Sequence, residues 1–383
     1  MGRKKILIVG CGLVGSVAAR EMVSHGYEVD IWERRDHIAG NLYDYVDNHG
    51  ILVQKYGPHI FHTNNDNIHE YIQKFSEWNN FNLVCGAVIN GKCTPTAFNF
   101  KTIDMFYEES EANAIKTHIK KCFPNRDSAS VVELLNCEDE LVRSYAQFLF
   151  DNDYKLYTAK QWAVSPDTID ASVLKRVPIR FNYNEEYFTD KYQELPNLGF
   201  TNFIENVLRS NEIHIHLGVD ALDHIKILNN NLYIDDIVSD FPVLYTGPLD
   251  ELLLFKYGRL PYRSLKFEWK YESINSYQEM PVVAYPQAEK FTRITEYKKL
   301  PKQLVNGTTY AIEYPVPYNY GDQAEPYYPV PTKLSQMNYS KYAKDASKVH
   351  GLYLAGRLSD FQYYNMDQAI EKAIQISKEI YNQ

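Results

Sequence analysis

The sequence predicts an α/β protein that combines a βαβ unit with an inserted helical domain and an antiparallel β-sheet domain. Residues 5–9 form an apolar run ending in glycine, residues 13–25 have helical character, and residues 27–32 again resemble a strand. Apolar side chains recur at helical spacing around 131–149. From about 242 to 335, short β-rich runs alternate with proline, glycine and asparagine, which is typical of an antiparallel sheet.

The last part of the chain is expected to return to the first domain. Residues 351–355 have the pattern of a strand, and 367–381 have the pattern of a helix with one apolar stripe. The changes of periodicity predict the following domains: a nucleotide-binding domain at 1–80, completed by about 200–245 and 338–383; a helical domain at 100–180; and a β-sheet domain at 81–99 and 246–337.

The composition of the chain limits the classes of partner that it is expected to bind. The 383 residues carry a formal net charge of -9, which argues against nucleic acid or an anionic membrane as the main partner. No apolar run reaches the length needed to span a membrane, so we expect a soluble protein, and the odd number of cysteines without paired spacing favours a reducing cytoplasm. A signal peptide at the start is rejected, because the same residues form the βαβ unit.

Neither a disulfide framework nor a metal site is predicted. The five cysteines are odd in number and lack paired Cys-x-x-Cys spacing. His214 and His216 would lie on one face of a strand, but no third metal ligand is evident, which favours a surface interpretation.

A glycine motif predicts a dinucleotide site. Gly10, Gly12 and Gly15 lie between the first strand and its helix, where missing side chains let a diphosphate approach the helix N-terminus. Glu33 ends the second strand, 23 residues after Gly10, where a carboxylate can accept hydrogen bonds from ribose hydroxyls. The unit is therefore Rossmann-like, and the adjacent Arg34 is a further candidate cofactor contact.

Both NAD and FAD can bind such a unit. Gly40 and Asn41 follow at the distance where FAD proteins usually carry Gly-Gly, which favours FAD. Near the other end, Gly356 and Arg357 follow a predicted strand and precede a helix, so a second backbone contact and a cation could face the flavin.

Several ordered segments together resemble the UDP-galactopyranose mutase family. They cover nearly the whole chain and include KYGPHIFHTN (55–64), YTAKQW (157–162), SVLKRVPIRFNYNEEYFTDKYQ (172–193), FTRITEYKKL (291–300), EPYYPV (325–330) and AGRLSDFQYYNMDQAI (355–370).

This resemblance implies an isomerase that uses reduced FAD without net redox change. The family interconverts pyranose and furanose forms of a sugar nucleotide, with N5 of the reduced flavin attacking the anomeric carbon. UDP-galactopyranose to UDP-galactofuranose is the first expectation, which would serve polysaccharide biosynthesis. A homodimer is expected by analogy.

The resemblance also implies site residues. Arg176 and Arg293 correspond to the family's two essential arginines, and His59 to a histidine beside the isoalloxazine. Besides the motif positions above, the implied cofactor contacts are Tyr56, His62 and Asp367. The implied substrate contacts are the two arginines and Tyr157, Trp162, Tyr187, Tyr327, Tyr328, Tyr363 and Asn365.

Departures from the family pattern leave the sugar open. Asn365 stands where many relatives have aspartate, Ala284 where relatives often have asparagine, and Ala39 and Ala163 where glycine is usual. A polar-to-apolar change beside a sugar can remove discrimination for a hydroxyl, so a dTDP-fucopyranose mutase is an alternative. An FAD-dependent oxidoreductase and a noncatalytic sugar-nucleotide binder are alternatives of other classes.

Overall fold

The computed structural model describes residues 3–162, 177–319 and 324–382. In its first part the elements are β1 (Lys4–Val9), α1 (Leu13–Ser24), β2 (Tyr27–Glu33), β3 (Asp44–Val46), β4 (Leu52–Gln54), β5 (Phe61–Thr63), α2 (Asp66–Gln73), β6 (Trp78–Asn80), β7 (Cys85–Ile89), β8 (Lys92–Thr96), α3 (Phe100–Phe106), α4 (Glu109–Cys122), β9 (Ser128–Ala129), α5 (Val131–Leu135), α6 (Glu140–Leu149) and α7 (Lys155–Trp162).

The remaining elements are β10 (Ile179–Arg180), β11 (Tyr192–Pro196), α8 (Gly199–Leu208), β12 (Ile213–Leu217), β13 (Ile225–Leu228), β14 (Asn231–Ile234), β15 (Ile237–Val238), β16 (Val243–Tyr245), α9 (Leu249–Leu252), β17 (Tyr262–Glu272), β18 (Val282–Ala284), β19 (Arg293–Glu296), β20 (Thr308–Pro317), β21 (Tyr328–Pro329), α10 (Lys333–Ala346), β22 (Leu352–Leu354) and α11 (Met366–Tyr381).

A five-stranded parallel sheet organises the nucleotide-binding part. Its strand order is β12-β2-β1-β16-β22, and each neighbouring pair is parallel. β1 is buried on both faces: Ile6 and Ile8 pack with residues of α1, α8 and α11, whereas Leu7 packs with the cluster on the opposite side. The predicted βαβ unit and the predicted return of the carboxyl-terminal strand and helix are confirmed.

Helices α3 to α6 enclose a core of their own. Within α4, Ala112, Ile115 and Ile119 are buried at spacings of three and four, and within α6 Tyr145 and Leu149 are four apart, because each helix buries one stripe. A π-helical turn at Phe150–Tyr154 leads directly into α7.

The third part is a seven-stranded sheet in the order β21-β17-β20-β19-β18-β7-β8. The predicted antiparallel sheet is confirmed for every neighbouring pair but one, since β18 and β7 pair in parallel. Period-two patterning identifies strands but not their relative direction. The β7–β8 hairpin comes from much earlier in the chain, so no tight turn forces an antiparallel pairing with β18.

No helix within the described ranges is long and apolar enough to cross a membrane.

Candidate functional site

A large cleft opens at the carboxyl ends of the parallel strands. It encloses about 1250 Å³, part of it open to solvent, and its wall includes Val9, Glu33 and Tyr245, which end β1, β2 and β16. Ligands of open α/β sheets bind at this edge. All three motif glycines also line the cleft. We call this space the cofactor cavity.

The three motif positions require glycine for different structural reasons. A Cβ on Gly15 would lie 2.0 Å from the Gly10 carbonyl oxygen, and one on Gly10 would lie 2.2 Å from the Thr246 hydroxyl, so the fold itself excludes side chains there. Gly12 caps α1, and its nearest neighbour for a Cβ is Gly40 at 3.9 Å. A side chain at Gly12 would therefore narrow the cavity rather than clash with the protein.

Glu33 is positioned by backbone groups. The Cys11 N–H donates to its Oε2 at 2.8 Å and the Arg35 N–H to its Oε1 at 3.0 Å. Each carboxylate oxygen can accept a second hydrogen bond, so the side chain can still receive ribose hydroxyls. Burial, followed by the nearby Glu33 charge, raises the pKa of Cys11 to about 12. Cys11 is therefore a neutral thiol beneath the site.

An ion-pair cluster closes one side of the cavity. Arg34 and Arg35 both contact Glu325 Oε2, at 2.9 and 3.0 Å, and Arg34 lies 3.8 Å from Glu251. Burial opposes ionisation of Glu325, but Arg35 and Arg34 outweigh it and lower its pKa. Burial raises the pKa of Glu251 to about 6, although Tyr318 donates to it at 2.7 Å. The cluster joins the segment before β21 to the end of β2.

The predicted Gly-Gly position carries strain. Ala39 is fully buried and has φ +69°, a conformation that costs a non-glycine residue roughly 1–2 kcal/mol. Gly40 follows with φ +55°, and a Cβ there would lie 2.9 Å from Gly12 Cα. Asn41 lines the cavity and accepts from Arg35 at 3.0 Å. The glycine loop and this turn therefore touch across the cavity floor.

His59 also lines the cavity. Its Nδ1 is 2.9 Å from the Gly57 carbonyl oxygen, which fixes the ring proton on Nδ1. Burial is the main cause that lowers the pKa of His59 to about 4, and the charges of Arg357 and Arg293 add to it. The imidazole is therefore neutral at pH 7, and its Nε2 is a hydrogen-bond acceptor.

Arg357 brings several predicted residues together. Its guanidinium lies over the rings of Tyr328 and Tyr363, at 4.7 and 5.1 Å from their centroids. It also donates to the carbonyl oxygens of Tyr364 at 2.9 Å and Tyr327 at 3.3 Å. Arg357, Tyr327 and Asn365 line the cofactor cavity. Arg357 therefore joins the cavity to the aromatic pair.

Arg293 lies on one face of the seven-stranded sheet. Register places Ala284 and Glu313 on either side of it, so their side chains share that face. Arg293 Nε and Glu313 Oε1 are 2.6 Å apart, and the two side chains are 24% and 4% exposed. Burial opposes the guanidinium charge, but Glu313 outweighs it and raises the pKa of Arg293. Arg293 thus stays charged, with part of its side chain accessible.

Helix α7 covers this face. It contacts β20, the strand that carries Glu313 opposite Arg293. Burial raises the pKa of Tyr157, the charge of Arg293 opposes the increase, and Glu313 and Tyr187 add to it. Trp162 ends α7. The predicted Arg176 and the variant position Ala163 lie outside the described residues.

Three predicted cofactor contacts, Tyr56, His62 and Asp367, are not among the residues that line the cavity. His62 stacks on Phe188 at 3.8 Å and pairs with Asp190 at 3.0 Å. Asp367 accepts from the Thr63 hydroxyl at 2.9 Å in the first turn of α11. The Tyr56 hydroxyl bonds His37 at 2.7 Å, and its ring lies under Arg35. Of the partners of these three side chains, only Arg35 lines the cavity, so Tyr56 supports the wall directly and His62 and Asp367 lie further from it.

His214 and His216 lie on the edge strand β12, about half exposed, beside Glu28 and Asp30 of β2. Among the described residues, no group of three or more histidine, cysteine or acidic side chains is arranged to hold a metal ion.

Sequence reasoning missed the acidic partners of the arginines. Glu313 is the only charged residue in its β-rich run (TTYAIEYPVP), which is a usable signal, but its pairing with Arg293 depends on sheet register. Glu325 begins the EPYYPV segment, and nothing in the sequence around Glu325 or Glu251 indicates that either pairs with an arginine. Lys160, in the quoted YTAKQW segment, makes three hydrogen bonds to backbone carbonyls that no sequence pattern indicates.

Comparison with known proteins gives consistent results. The family described as UDP-galactopyranose mutase matches residues 152–363, and the NAD(P)-binding Rossmann-like domain family matches residues 8–75. The chain is 34% identical to a probable UDP-galactopyranose mutase of Klebsiella pneumoniae, over 99% of this chain and 95% of that protein. It is 36% identical to the UDP-galactopyranose mutase of Mycoplasma genitalium, over 98% and 94%.

A relative with another substrate in its name is also similar. The dTDP-fucopyranose mutase of Escherichia coli is 30% identical over 98% of this chain and 97% of that protein. Among solved structures, a reduced UDP-galactopyranose mutase superposes with a TM-score of 0.72 at 16% identity, covering 100% of this chain and 94% of that one. That likeness shows a shared fold. With two relatives above 30% identity over nearly their whole length, the chain belongs to the UDP-galactopyranose mutase family, whose enzymes are isomerases.

Proposed function

We propose that this protein interconverts the pyranose and furanose forms of a sugar nucleotide with reduced FAD as cofactor. The observation that carries the proposal is the position of Arg293. A partly accessible guanidinium, kept charged by buried Glu313, lies beside the cavity, because Glu313 Oε2 is 3.6 Å from the position of a Cβ on Gly57, whose carbonyl oxygen lies 2.9 Å from His59 Nδ1. A cation site for a departing diphosphate thus adjoins the cofactor cavity.

The described residues fit FAD. The N-terminus of α1 is open at Gly12 and has no side-chain cap, which suits a diphosphate, and Glu33 offers acceptors to ribose. His59 and Arg357 would flank the flavin ring at the other end. When bound in its reduced form, FAD supplies a nucleophilic nitrogen for the anomeric carbon. Neutral His59 can accept a hydrogen bond there without placing a further positive charge beside the ring.

The protein's own contribution is placement and charge. Arg293 would bind diphosphate oxygens and favour their departure, because it is already held charged in a poorly solvated place. Tyr157 would hold the substrate against that arginine with a hydroxyl that stays protonated. Arg176 is proposed as the second diphosphate cation on the family resemblance alone.

UDP-galactopyranose is the first candidate substrate, and a dTDP-linked 6-deoxyhexose is the second. The second is favoured by Ala284, whose methyl group lies next to Arg293 in the sheet register. A methyl group leaves no hydrogen-bonding partner for a sugar hydroxyl, so the site would not penalise a sugar that lacks one. The Escherichia coli relative named dTDP-fucopyranose mutase is compatible with this alternative.

We further infer the division into a nucleotide-binding, a helical and a β-sheet domain with the boundaries given above. A homodimer in the cytoplasm that serves polysaccharide biosynthesis follows from family analogy and is part of the same proposal.

The test is product identification. FAD-loaded protein, reduced with dithionite, should convert UDP-galactopyranose or dTDP-fucopyranose into the furanose form, detected by NMR, and unreduced protein should not. Ala284→Asn should shift the preference toward the sugar that carries the additional hydroxyl, by about tenfold in kcat/KM. Absence of a furanose product from every nucleotide sugar tested, with FAD bound and reduced, would overturn the proposal.

A further inference from the structure

Lys160 makes an unusually complete set of contacts. It lies on α7, three residues after Tyr157, so the two side chains share one side of the helix. Its Nζ donates to the carbonyl oxygens of Tyr285 at 2.6 Å, Ala288 at 2.6 Å and Phe291 at 2.9 Å. An ammonium group has three protons, so these carbonyls use all of them.

The three carbonyls belong to the loop 285–292, which joins β18 to β19. The loop closes through a hydrogen bond from the Tyr285 N–H to the Thr292 carbonyl at 2.8 Å, and Arg293 follows at once. Backbone carbonyls in such a place need partners. The Tyr285 carbonyl also accepts from the Ala288 N–H at 3.2 Å, and one side chain from another region donates to all three carbonyls. Any shift of α7 is therefore passed to the start of β19.

Further contacts hold the same parts together. Arg263 of β17 donates to the Gln161 carbonyl at the end of α7. From the loop, the Gln287 amide donates to the side chains of Asn152 at 3.0 Å and Asn90 at 2.9 Å. The contacts of Lys160 are thus the central part of a connection between the helical region and the seven-stranded sheet.

The surroundings keep Lys160 protonated near neutral pH. Burial lowers its pKa to about 8, and Asp153 in the preceding turn opposes that change. Burial likewise raises the pKa of Asp153 to about 7, opposed by Lys160. The charged side chains of the loop, Glu289 and Lys290, are exposed, and the charges on the sheet face below α7 are Arg263, Arg293 and Glu313.

We propose that Lys160 is a positioning residue that fixes α7, which carries Tyr157, to the loop that leads into Arg293. These two elements, α7 and the loop, form the two walls of the proposed substrate pocket. They then behave as one rigid unit, so that Tyr157 and Arg293 are held at the correct separation for the substrate. The link between the walls stands on the contacts alone, whereas its effect on catalysis rests on the proposed function.

The experiment compares Lys160→Met, Lys160→Arg and the control Lys121→Met, which makes the same change at an exposed position of α4. Hydrogen exchange of residues 285–292 is measured on the FAD-loaded proteins. Lys160→Met should exchange about tenfold or more faster in this loop, because local opening is no longer opposed. The control should match wild type, and Lys160→Arg should lie close to it. If Lys160→Met does not fold, Lys160→Gln replaces it, with the same expectation.

Kinetics separate positioning from general stability. Lys160→Met should raise KM for the nucleotide sugar by about tenfold or more, with FAD affinity unchanged, because the described partners of Lys160 do not line the cofactor cavity. In wild type, KM should increase at pH values above about 8, because Lys160 then loses a proton and with it one hydrogen-bond donor. In Lys160→Arg this rise should move to higher pH.

Unchanged loop exchange in both the Met and Gln variants, or a KM profile that is the same in Lys160→Arg as in wild type, would overturn the proposal. If wild type itself makes no furanose, the proposed function fails, while the exchange data still decide whether Lys160 connects the two walls.

Discussion

The cofactor cavity and the Arg293 face of the seven-stranded sheet are assembled in different ways. The cavity takes its three motif glycines and Glu33 from one continuous βαβ unit, residues 4–33. The Arg293 face combines β7, β18, β19 and β20 with α7, which come from distant parts of the chain. A local site depends on backbone geometry, whereas an assembled site depends on charge pairing and register. Mutations should therefore affect the two in different ways.

The largest effect is expected at the assembled face. Arg293→Met should lower kcat by about 10²-fold or more, because a preformed cation would be lost. It should also lower the free energy of unfolding by about 3–5 kcal/mol, since Glu313 would remain buried and unpaired. Steady-state kinetics and urea unfolding measure the two effects.

The double variant Arg293→Met/Glu313→Gln separates them. It should regain most of the stability because no unpaired charge is left, and it should stay inactive. Recovery of activity in the double variant would contradict the role given to Arg293.

The glycine motif tests the local site. Gly15→Ala should lower the melting temperature of the FAD-free protein, because the new Cβ would meet the Gly10 carbonyl at 2.0 Å. Gly12→Ala should leave that temperature within about 2 °C of wild type and weaken FAD binding by about tenfold or more. Calorimetry and flavin fluorescence titration give the two quantities. Equal loss of stability in both variants would refute the distinction.

Glu33→Gln should weaken FAD binding by about tenfold, because hydrogen bonds to a charged acceptor are worth about 1.5–3 kcal/mol and the amide keeps only part of them. Glu28→Gln on the same strand is the control, since Glu28 faces His214 on the surface. Indistinguishable FAD affinities of the two variants would argue against a ribose contact at Glu33.

His59 predicts a pH dependence of stability. Its pKa is lowered to about 4 in the fold, so between the unfolded value of 6.5 and pH 4 the unfolded chain binds more protons. Stability from this residue is therefore present above pH 6.5 and lost as the pH falls toward 4, by at most about 3 kcal/mol. Unfolding of the FAD-free protein across this range should become less pH-dependent in His59→Gln. An unchanged slope would mean that the imidazole titrates normally.

The smallest effect is expected at the β12 surface. Replacing His214 and His216 with asparagine should change stability by less than about 1 kcal/mol, because exposed ion pairs contribute little. Mutase activity should stay within twofold, and added Zn²⁺ should have no specific effect on either protein.

The same contrast explains what the sequence could reveal. Gly10, Gly12, Gly15 and Glu33 were identified from spacing because strand, helix and strand follow each other within one motif. Arg293 was reached only through family resemblance, because its partner Glu313 is set by the register of β19 against β20. The parallel pairing of β18 with β7 was missed for a related reason, since alternation of side chains carries no direction. His62 was placed beside the flavin by resemblance, but its ring is held by Phe188 and Asp190.

The most direct test of the central claim is whether the anomeric carbon–oxygen bond breaks in this protein. UDP-galactopyranose and dTDP-fucopyranose labelled with ¹⁸O at the bond between sugar and diphosphate are incubated with FAD-loaded, dithionite-reduced protein, and ³¹P NMR follows the label. For at least one substrate, the label should move from the bridging to the nonbridging position in wild type, and about 10²-fold more slowly or not at all in Arg293→Met. No movement in reduced wild-type protein, or equal movement in the variant, would contradict the account.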